Sequence, residues 1–262
     1  MARSALLNVM VTAATKAGRA LVRDFGEVEQ LQVSMKGPGD FVSAADHKAE
    51  KIVREELQRV RPTYGLLLEE SGEIKGSDPQ HRWIVDPLDG TTNFLHAIPM
   101  FAVSIGLERD GEIVAGVIFN PIMNELFVAE KGIGAFLNDR RMRIAQRREL
   151  SQAVICCGVP HQGRGNHRTF LKDLAPVMAA SAGIRRTGSA SLDLAWVAAG
   201  RFDGFFERGL NPWDVAAGLV IVSEAGGFAT DYSGRGSALY ADSIIAANPE
   251  IHRQLVDKIA GA

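Results

Sequence analysis

Apolar residues at Leu6, Leu7, Met10, Val11, Ala14, Ala17, Leu21 and Val22 recur at helical spacing. This predicts an amphipathic first helix packed on a larger body. Lys36, Gly37, Pro38 and Gly39 cluster as a loop. A second helix is expected after Ser43, with Ile52, Val53, Leu57 and Val60 on one face. Ser43 followed three residues later by Asp46 is a helix-start pattern.

The pattern then shortens. Leu66, Leu67 and Leu68 read as a buried strand that ends in Glu69, Glu70 and Ser71. Trp83, Ile84 and Val85 read as another, ending in Asp86, so both strands deliver carboxylates at their C-terminal ends. Residues 101–107, 112–119 and 125–129 form an antiparallel meander, with turns at 110–111 and 121–124. Beyond residue 150, strands at 154–157, 184–187, 202–206 and 244–247 alternate with helices at 167–180, 192–199 and 212–225. Gly200 closes the second of these helices, Pro212 starts the third, and Pro249 opens a last one. Antiparallel sheet followed by alternating α/β predicts two lobes, 1–150 and 151–262, sharing one core and acting as one continuous catalytic unit.

The chain has 262 residues, enough for a sizeable core, and 46% of them are hydrophobic. With 29 Lys plus Arg against 31 Asp plus Glu, the net charge of −2 disfavours a nucleic-acid binder. The two cysteines, Cys156 and Cys157, are adjacent, which suits neither a disulfide framework nor zinc-site spacing. A reducing compartment fits. No apolar run approaches the roughly 18 residues of a membrane span. Asn8, Thr12, Thr15 and Lys16 interrupt the N-terminal apolar residues, so a signal peptide is not expected and the protein is read as cytoplasmic.

The segment Asp86-Pro87-Leu88-Asp89-Gly90-Thr91-Thr92-Asn93 carries the strongest chemical signal. Two carboxylates three residues apart on a Pro/Gly turn, followed by hydroxyls and free backbone N–H groups, suit a hard cation beside a phosphate. A polar turn that caps its own backbone is the alternative. Asp46 and Asp214 at helix starts also have a structural explanation, since acids there complement the helix dipole. Taken together, however, acids meeting in one place repel each other unless divalent cations relieve them. Other templates are absent. There is no P-loop, no His-Glu-x-x-His and no Gly-x-Ser-x-Gly. Asp86 and Asp89 are not spaced as Asp-x-Asp, which argues against an aspartyl-phosphate mechanism. Gly132-x-Gly134 lacks the third glycine of a dinucleotide loop. His96 reads as a packing or supporting residue, and both cysteines as inert core.

These residues resemble the inositol monophosphatase family, and within it the bacterial inositol-1-monophosphatase (SuhB-like) branch. Asp40–Asp46 (DFVSAAD), Glu69–Ser71 (EES), Trp83–Phe94 (WIVDPLDGTTNF), Arg186–Ala190 (RTGSA) and Trp213–Gly218 (WDVAAG) carry the resemblance. It implies a five-layered α/β/α/β/α sandwich, as a homodimer. It implies hydrolysis of a phosphomonoester by a metal-activated water with two or three Mg²⁺ ions, Mn²⁺ as a substitute, and inhibition by Li⁺ and Ca²⁺. Carried over, Glu69, Asp86 and the Leu88 carbonyl hold the first ion, and Asp86, Asp89 and Asp214 the second. A third leans on Glu69. Thr91 and Asp46 orient and deprotonate the water. The Gly90 and Thr91 amides receive the phosphate, beside Thr92. Gly188, Ser189, Ala190 and Glu207 line the sugar side. A helix start near Ser189 offers further amides to an anion.

Myo-inositol 1-phosphate is the implied substrate, with Glu207 as the reader of its hydroxyls. Histidinol phosphate and other small phosphomonoesters remain alternatives, because the metal site reads only the phosphate. A second class of function, an RNA-polymerase or Nus-factor accessory, would use Arg185–Arg186, Arg140–Arg141 and Arg147–Arg148 as a partner surface. Solvated arginines are the plainer account of those pairs.

Overall fold

The computed structural model describes residues 3–27, 33–37, 40–161, 163 and 165–261. Helix α1 (Ala5–Phe25) starts where the Ser4 hydroxyl accepts a hydrogen bond from Leu7 N at 3.1 Å. Strands β1 (Val33–Gly37) and β2 (Asp40–Ser43) pair antiparallel. Lys36 and Gly37 therefore lie in a strand rather than the expected loop, while Pro38 and Gly39 fall outside the described residues. Gly37 pairs with Asp40, and strands this short show no period in the sequence. Helix α2 (Ala44–Val60) begins with a reciprocal cap: the Ser43 N–H donates to Asp46 Oδ2 at 2.8 Å and its hydroxyl accepts from Ala45 N.

Next come β3 (Tyr64–Leu68), β4 (Gly72–Ile74), β5 (Asp78–Asp89), the short α3 (Thr91–Leu95), β6 (Ala102–Arg109), β7 (Glu112–Asn120), β8 (Glu125–Glu130), β9 (Gly134–Leu137) and β10 (Arg140–Arg141). They form one sheet in the order β10-β9-β8-β7-β6-β5-β3-β4. The expected meander is its centre. Asp110 and Gly111, at φ of 52° and 81°, make the tight β6–β7 turn.

The remaining chain supplies β11 (Val154–Cys157), α4 (His167–Ala180), β12 (Gly183–Arg185), α5 (Ala190–Ala198), β13 (Gly204–Arg208), α6 (Pro212–Glu224), β14 (Phe228–Thr230), β15 (Ser243–Ala247) and α7 (Pro249–Ala260). Its sheet runs β12-β11-β13-β15-β14. Two strands are displaced from expectation. That at 184–187 ends at Arg185, because Thr187 turns its hydroxyl to Asp193 at 2.8 Å. That at 202–206 starts at Gly204, because Phe202 packs edge-on against Trp196, 5.7 Å between ring centres.

Three cores stack the elements into five layers. Leu7, Met10, Leu57, Trp83 and Phe101 join α1 and α2 to one face of the larger sheet. Ile84, Ile118, Leu194, Phe205, Val215 and Ile244 bury α5 and α6 between the two sheets. Ile155, Val177, Phe206, Ile251 and Leu255 attach α4 and α7 to the outer face of the smaller sheet. The order is α/β/α/β/α, as the resemblance implies. Among the described residues, no helix is long and apolar enough to cross a membrane.

The central layer sits unusually close to the larger sheet. Gly106 on β6 and Gly116 on β7 are register partners. A Cβ at Gly106 would come within 2.8 Å of the Ala216 methyl, and one at Gly116 within 2.6 Å of the Ala217 carbonyl. Bare glycines therefore seat α6 against the strands. The Gly132-x-Gly134 segment has a different task. Its N–H groups donate to the Glu224 carboxylate at 2.8 and 2.7 Å, so the protein's own acid fills this turn.

Candidate active site

Parallel pairing sets the first two acids side by side. β3 and β5 are parallel neighbours with Leu68 opposite Val85, so Glu69 and Asp86, the next residues, come side by side at the same end of this pair. Asp86 and Asp89 would point to opposite faces of a regular strand. The pairing with β6 slips between them: Asp86 faces Ser104 and Asp89 faces Ala102. This bulge absorbs one extra residue and turns both carboxylates to one side. Leu88 N donates to Asp86 Oδ1 at 2.9 Å within it. Asp214 arrives from the first turn of α6, where its Oδ2 accepts from Asn211 N at 2.7 Å. Asp86, Asp89 and Asp214 each bring a carboxylate oxygen within 4.8 Å of the others, and all three residues are buried.

Burial raises Asp86 well above the usual carboxylate range, and the charges of Glu69, Asp89 and Asp214 add to it. Burial also raises Asp89, but hydrogen bonds oppose it. Asp89 Oδ2 accepts from the Ser189 hydroxyl and from Ser191 N, both at 2.7 Å, and from the Ser191 hydroxyl. The start of α5, expected to offer amides to an anion, thus offers one to Asp89. Clustered carboxylates that repel one another, all offering hard oxygens, fit a divalent cation.

Beside the acids, Gly90 turns the chain at φ of 98°, where a Cβ would press within 2.8 Å of the Met100 carbonyl. Thr91 follows. Its hydroxyl lies 2.9 Å from Asp46 Oδ1 and 3.1 Å from the Leu88 carbonyl. Asp46 is fully buried, and burial raises its pKa against the hydrogen bonds from Ser43 and Thr91.

A cavity of about 200 Å³ opens over these groups. Of the residues singled out from sequence, Glu69, Asp86, Leu88, Asp89, Gly90, Thr91, Thr92, Gly188, Ser189, Ala190, Glu207 and Asp214 line it. Asp46 stands behind Thr91. Glu207 presses on bare backbone, since a Cβ at Gly158 would overlap its carboxylate. His96 is exposed, its ring Nδ1 on the Thr92 carbonyl at 2.8 Å, and it is not a lining residue. Cys156 and Cys157 are buried, with thiols raised by burial, Cys157 to about 12, so neither is a thiolate nucleophile at neutral pH.

Sequence reasoning missed Ser191, whose only signal is a hydroxyl beside a helix start. It also missed Asp193, a fully buried cavity residue raised by burial and held by Thr187. Arg186, read as partner surface, lines the cavity, and Arg147 pairs with Asp203 at 3.0 Å.

The sequence pattern of the inositol monophosphatase family matches residues 2–261. The chain is 64% identical over 259 residues to an inositol-1-monophosphatase of Rhizobium meliloti (strain 1021), covering 99% of this chain and 97% of that one. It is 40% identical to the Nus factor SuhB of Escherichia coli (strain K12), covering 96% and 94%. The crystal structure of the extragenic suppressor protein suhB from Bartonella henselae superimposes with a TM-score of 0.95 at 60% identity, covering 98% of both chains. With this fold and this array of acids, the chain belongs to the inositol monophosphatase family.

Proposed function

We propose that the protein is a Mg²⁺-dependent phosphatase that hydrolyses myo-inositol 1-phosphate and related inositol monophosphates. Family membership makes it a phosphomonoesterase. The carrying observation is that Asp86, Asp89 and Asp214 meet in one cavity beside a Thr91–Asp46 pair. The acids come from both halves of the chain, so residues 1–150 and 151–262 act as one catalytic unit.

Two or three ions held by Glu69, Asp86, the Leu88 carbonyl, Asp89 and Asp214 would neutralise the phosphate dianion, acidify the attacking water and stabilise the leaving alkoxide. Thr91, which lines the cavity, donates its hydroxyl proton to Asp46. A water there gives its proton to Thr91 as Thr91 passes its own to Asp46. Burial raises Asp46 and makes it a stronger base than an exposed aspartate. The Gly90 and Thr91 N–H groups receive phosphate oxygens, with Thr92 at the rim. Gly188, Ser189 and Ala190 shape the sugar side, and Glu207 accepts from inositol hydroxyls.

The test is Mg²⁺-dependent phosphate release from myo-inositol 1-phosphate, histidinol phosphate, fructose 1,6-bisphosphate and 3′-phosphoadenosine 5′-phosphate, with and without Li⁺. The highest kcat/KM on inositol phosphate, loss of activity in Li⁺ or Ca²⁺, and retention in Mn²⁺ are expected. A preference for histidinol phosphate keeps the mechanism and overturns the substrate. The protein is further proposed to be a cytoplasmic homodimer, which light scattering and cell fractionation test.

The relative named as a Nus factor supports a second reading, contact with RNA polymerase or Nus factors. An inactive Asp89→Asn protein that still captures them would support it; no capture by either form would remove it.

A further inference from the structure

Helix α2 carries two buried carboxylates one turn apart. Asp46 is fully buried and Glu50 is 3% exposed. Residues four apart share a helix face, yet the two serve different parts of the chain. Asp46 meets Thr91. Glu50 reaches the reversal between β3 and β4, where its Oε2 accepts from Glu70 N at 2.8 Å and from Ser71 N at 3.3 Å. Its other oxygen accepts from the Ser71 hydroxyl.

Among the described residues, no lysine or arginine pairs with Glu50, and its partners there are the hydrogen-bond donors of Glu70 and Ser71. Burying such a carboxylate is costly. Closing the hairpin does not call for it. Leu68 already pairs with Gly72, and Gly72 supplies the left-handed position at φ of 73°. What Glu50 adds is a fixed place for the backbone just after Glu69. On the other side, Glu69 N donates to Val85 O at 3.2 Å. The residue is clamped between β5 and α2, with its carboxylate toward Asp86.

We infer that Glu50 is a positioning residue for cation binding, holding the turn that presents Glu69 to the acidic cluster. The inference rests on the proposed cation role of Glu69. One rigid helix then supports two separable functions. Glu50 governs how tightly the cation is held, and Asp46 governs proton removal from the water.

Glu50→Gln separates them. The amide keeps the size of the side chain but has one acceptor oxygen where three donors converge. Magnesium binding is measured by titration calorimetry on protein free of phosphate and substrate. Glu50→Gln raises the Mg²⁺ dissociation constant roughly 10- to 100-fold, the scale seen when groups supporting a metal ligand are removed. The Mg²⁺ concentration for half-maximal activity rises in parallel, with a smaller loss of kcat. Ser71→Ala, which removes only the hydroxyl donor, shifts the constant in the same direction by less. Asp46→Asn lowers kcat and leaves the Mg²⁺ constant unchanged. Leu255→Ala in α7 lowers the melting temperature and also leaves that constant unchanged.

If Glu50→Gln lowers the melting temperature as Leu255→Ala does and Mg²⁺ binds as before, Glu50 only closes a hairpin and the inference is overturned. Should Glu50→Gln fail to fold, an unchanged constant in Ser71→Ala overturns it instead. Glu69→Gln marks the other failure: an unchanged Mg²⁺ constant there removes the reading of Glu69, and this inference with it.

Discussion

Within the acidic cluster, the half of the molecule built on the eight-stranded sheet supplies Glu69, Asp86 and Asp89 from the ends of strands, and the other half supplies Asp214 from a helix start. Glu69 and Asp86 directly follow the last paired residues of the parallel neighbours β3 and β5, and one bulge turns Asp89 to the same side. This convergence is local. Asp214 reaches the same point because α6 is seated on Gly106 and Gly116. That convergence is tertiary and depends on a tight central layer. The neutralisation also differs. Asp214 is capped by Asn211 N, and Asp89 takes donors from Ser189 and Ser191. Asp86 has Leu88 N and three acidic neighbours. The strand-end acids therefore supply most of the repulsion that a cation relieves, and the helix starts supply the donors that keep the rest in place.

Removing a strand-end acid gives the largest effect. Asp89→Asn keeps the fold, as judged by circular dichroism, and loses roughly 10³-fold or more in kcat, the scale of losing one member of a catalytic unit. Near-wild-type turnover would end the mechanism proposed above. Thr91→Ala loses about 10²-fold or more, consistent with losing a proton relay, whereas Thr91→Ser retains most of the activity. Equal loss in both variants would mean that the methyl group, not the hydroxyl, matters.

The tertiary route is tested through Gly116→Ala. Its methyl group meets the Ala217 backbone, which cannot swing aside as a side chain can. A loss of about 1–3 kcal/mol in urea unfolding is expected, together with weaker Mg²⁺ binding as Asp214 shifts. Loss of stability with unchanged Mg²⁺ binding would show that α6 positions Asp214 without this close seat.

A smaller, graded effect is expected from pH. Burial raises Asp46, Asp86, Asp89 and Asp193, so each holds its proton to a higher pH in the folded chain than in the unfolded one. Their contribution to stability is complete below the unfolded value of about 3.9 and is lost as pH rises through the folded values. In a chelator, the melting temperature should fall as pH rises through this interval. Saturating Mg²⁺ should remove the fall and raise the melting temperature, because it binds the folded cluster. A melting temperature in chelator that rises with pH would contradict the sign.

Long periodic elements were legible in the sequence. α1, α2, α4, α6, α7 and the meander lie close to their expected positions, because each buries one face or one run long enough to read. β4, β9, β10 and β14 were not, since two to four residues held only by pairing leave no period. The site shows the same division. Asp86, Asp89 and Thr91 sit in one short segment and could be read together. Ser191, Asp193 and Glu50 could not, because the groups they hold are Asp89, Thr187 and the turn after Glu69, which lie elsewhere in the chain or bear no common pattern. Gly132-x-Gly134 lacks the third glycine of a dinucleotide loop, and only the fold shows that its N–H groups hold Glu224.

The sequence by itself determined the two kinds of half, the helix caps and the acids, because spacing, caps and turn chemistry act over a few residues. The meeting of Asp214 with Asp86 and Asp89, the hold of α5 on Asp89 and the reach of Glu50 to the Glu69 turn were decided by tertiary structure. Each depends on the separation of packed layers, which close contacts such as Gly106 and Gly116 against α6 set and which no local pattern encodes.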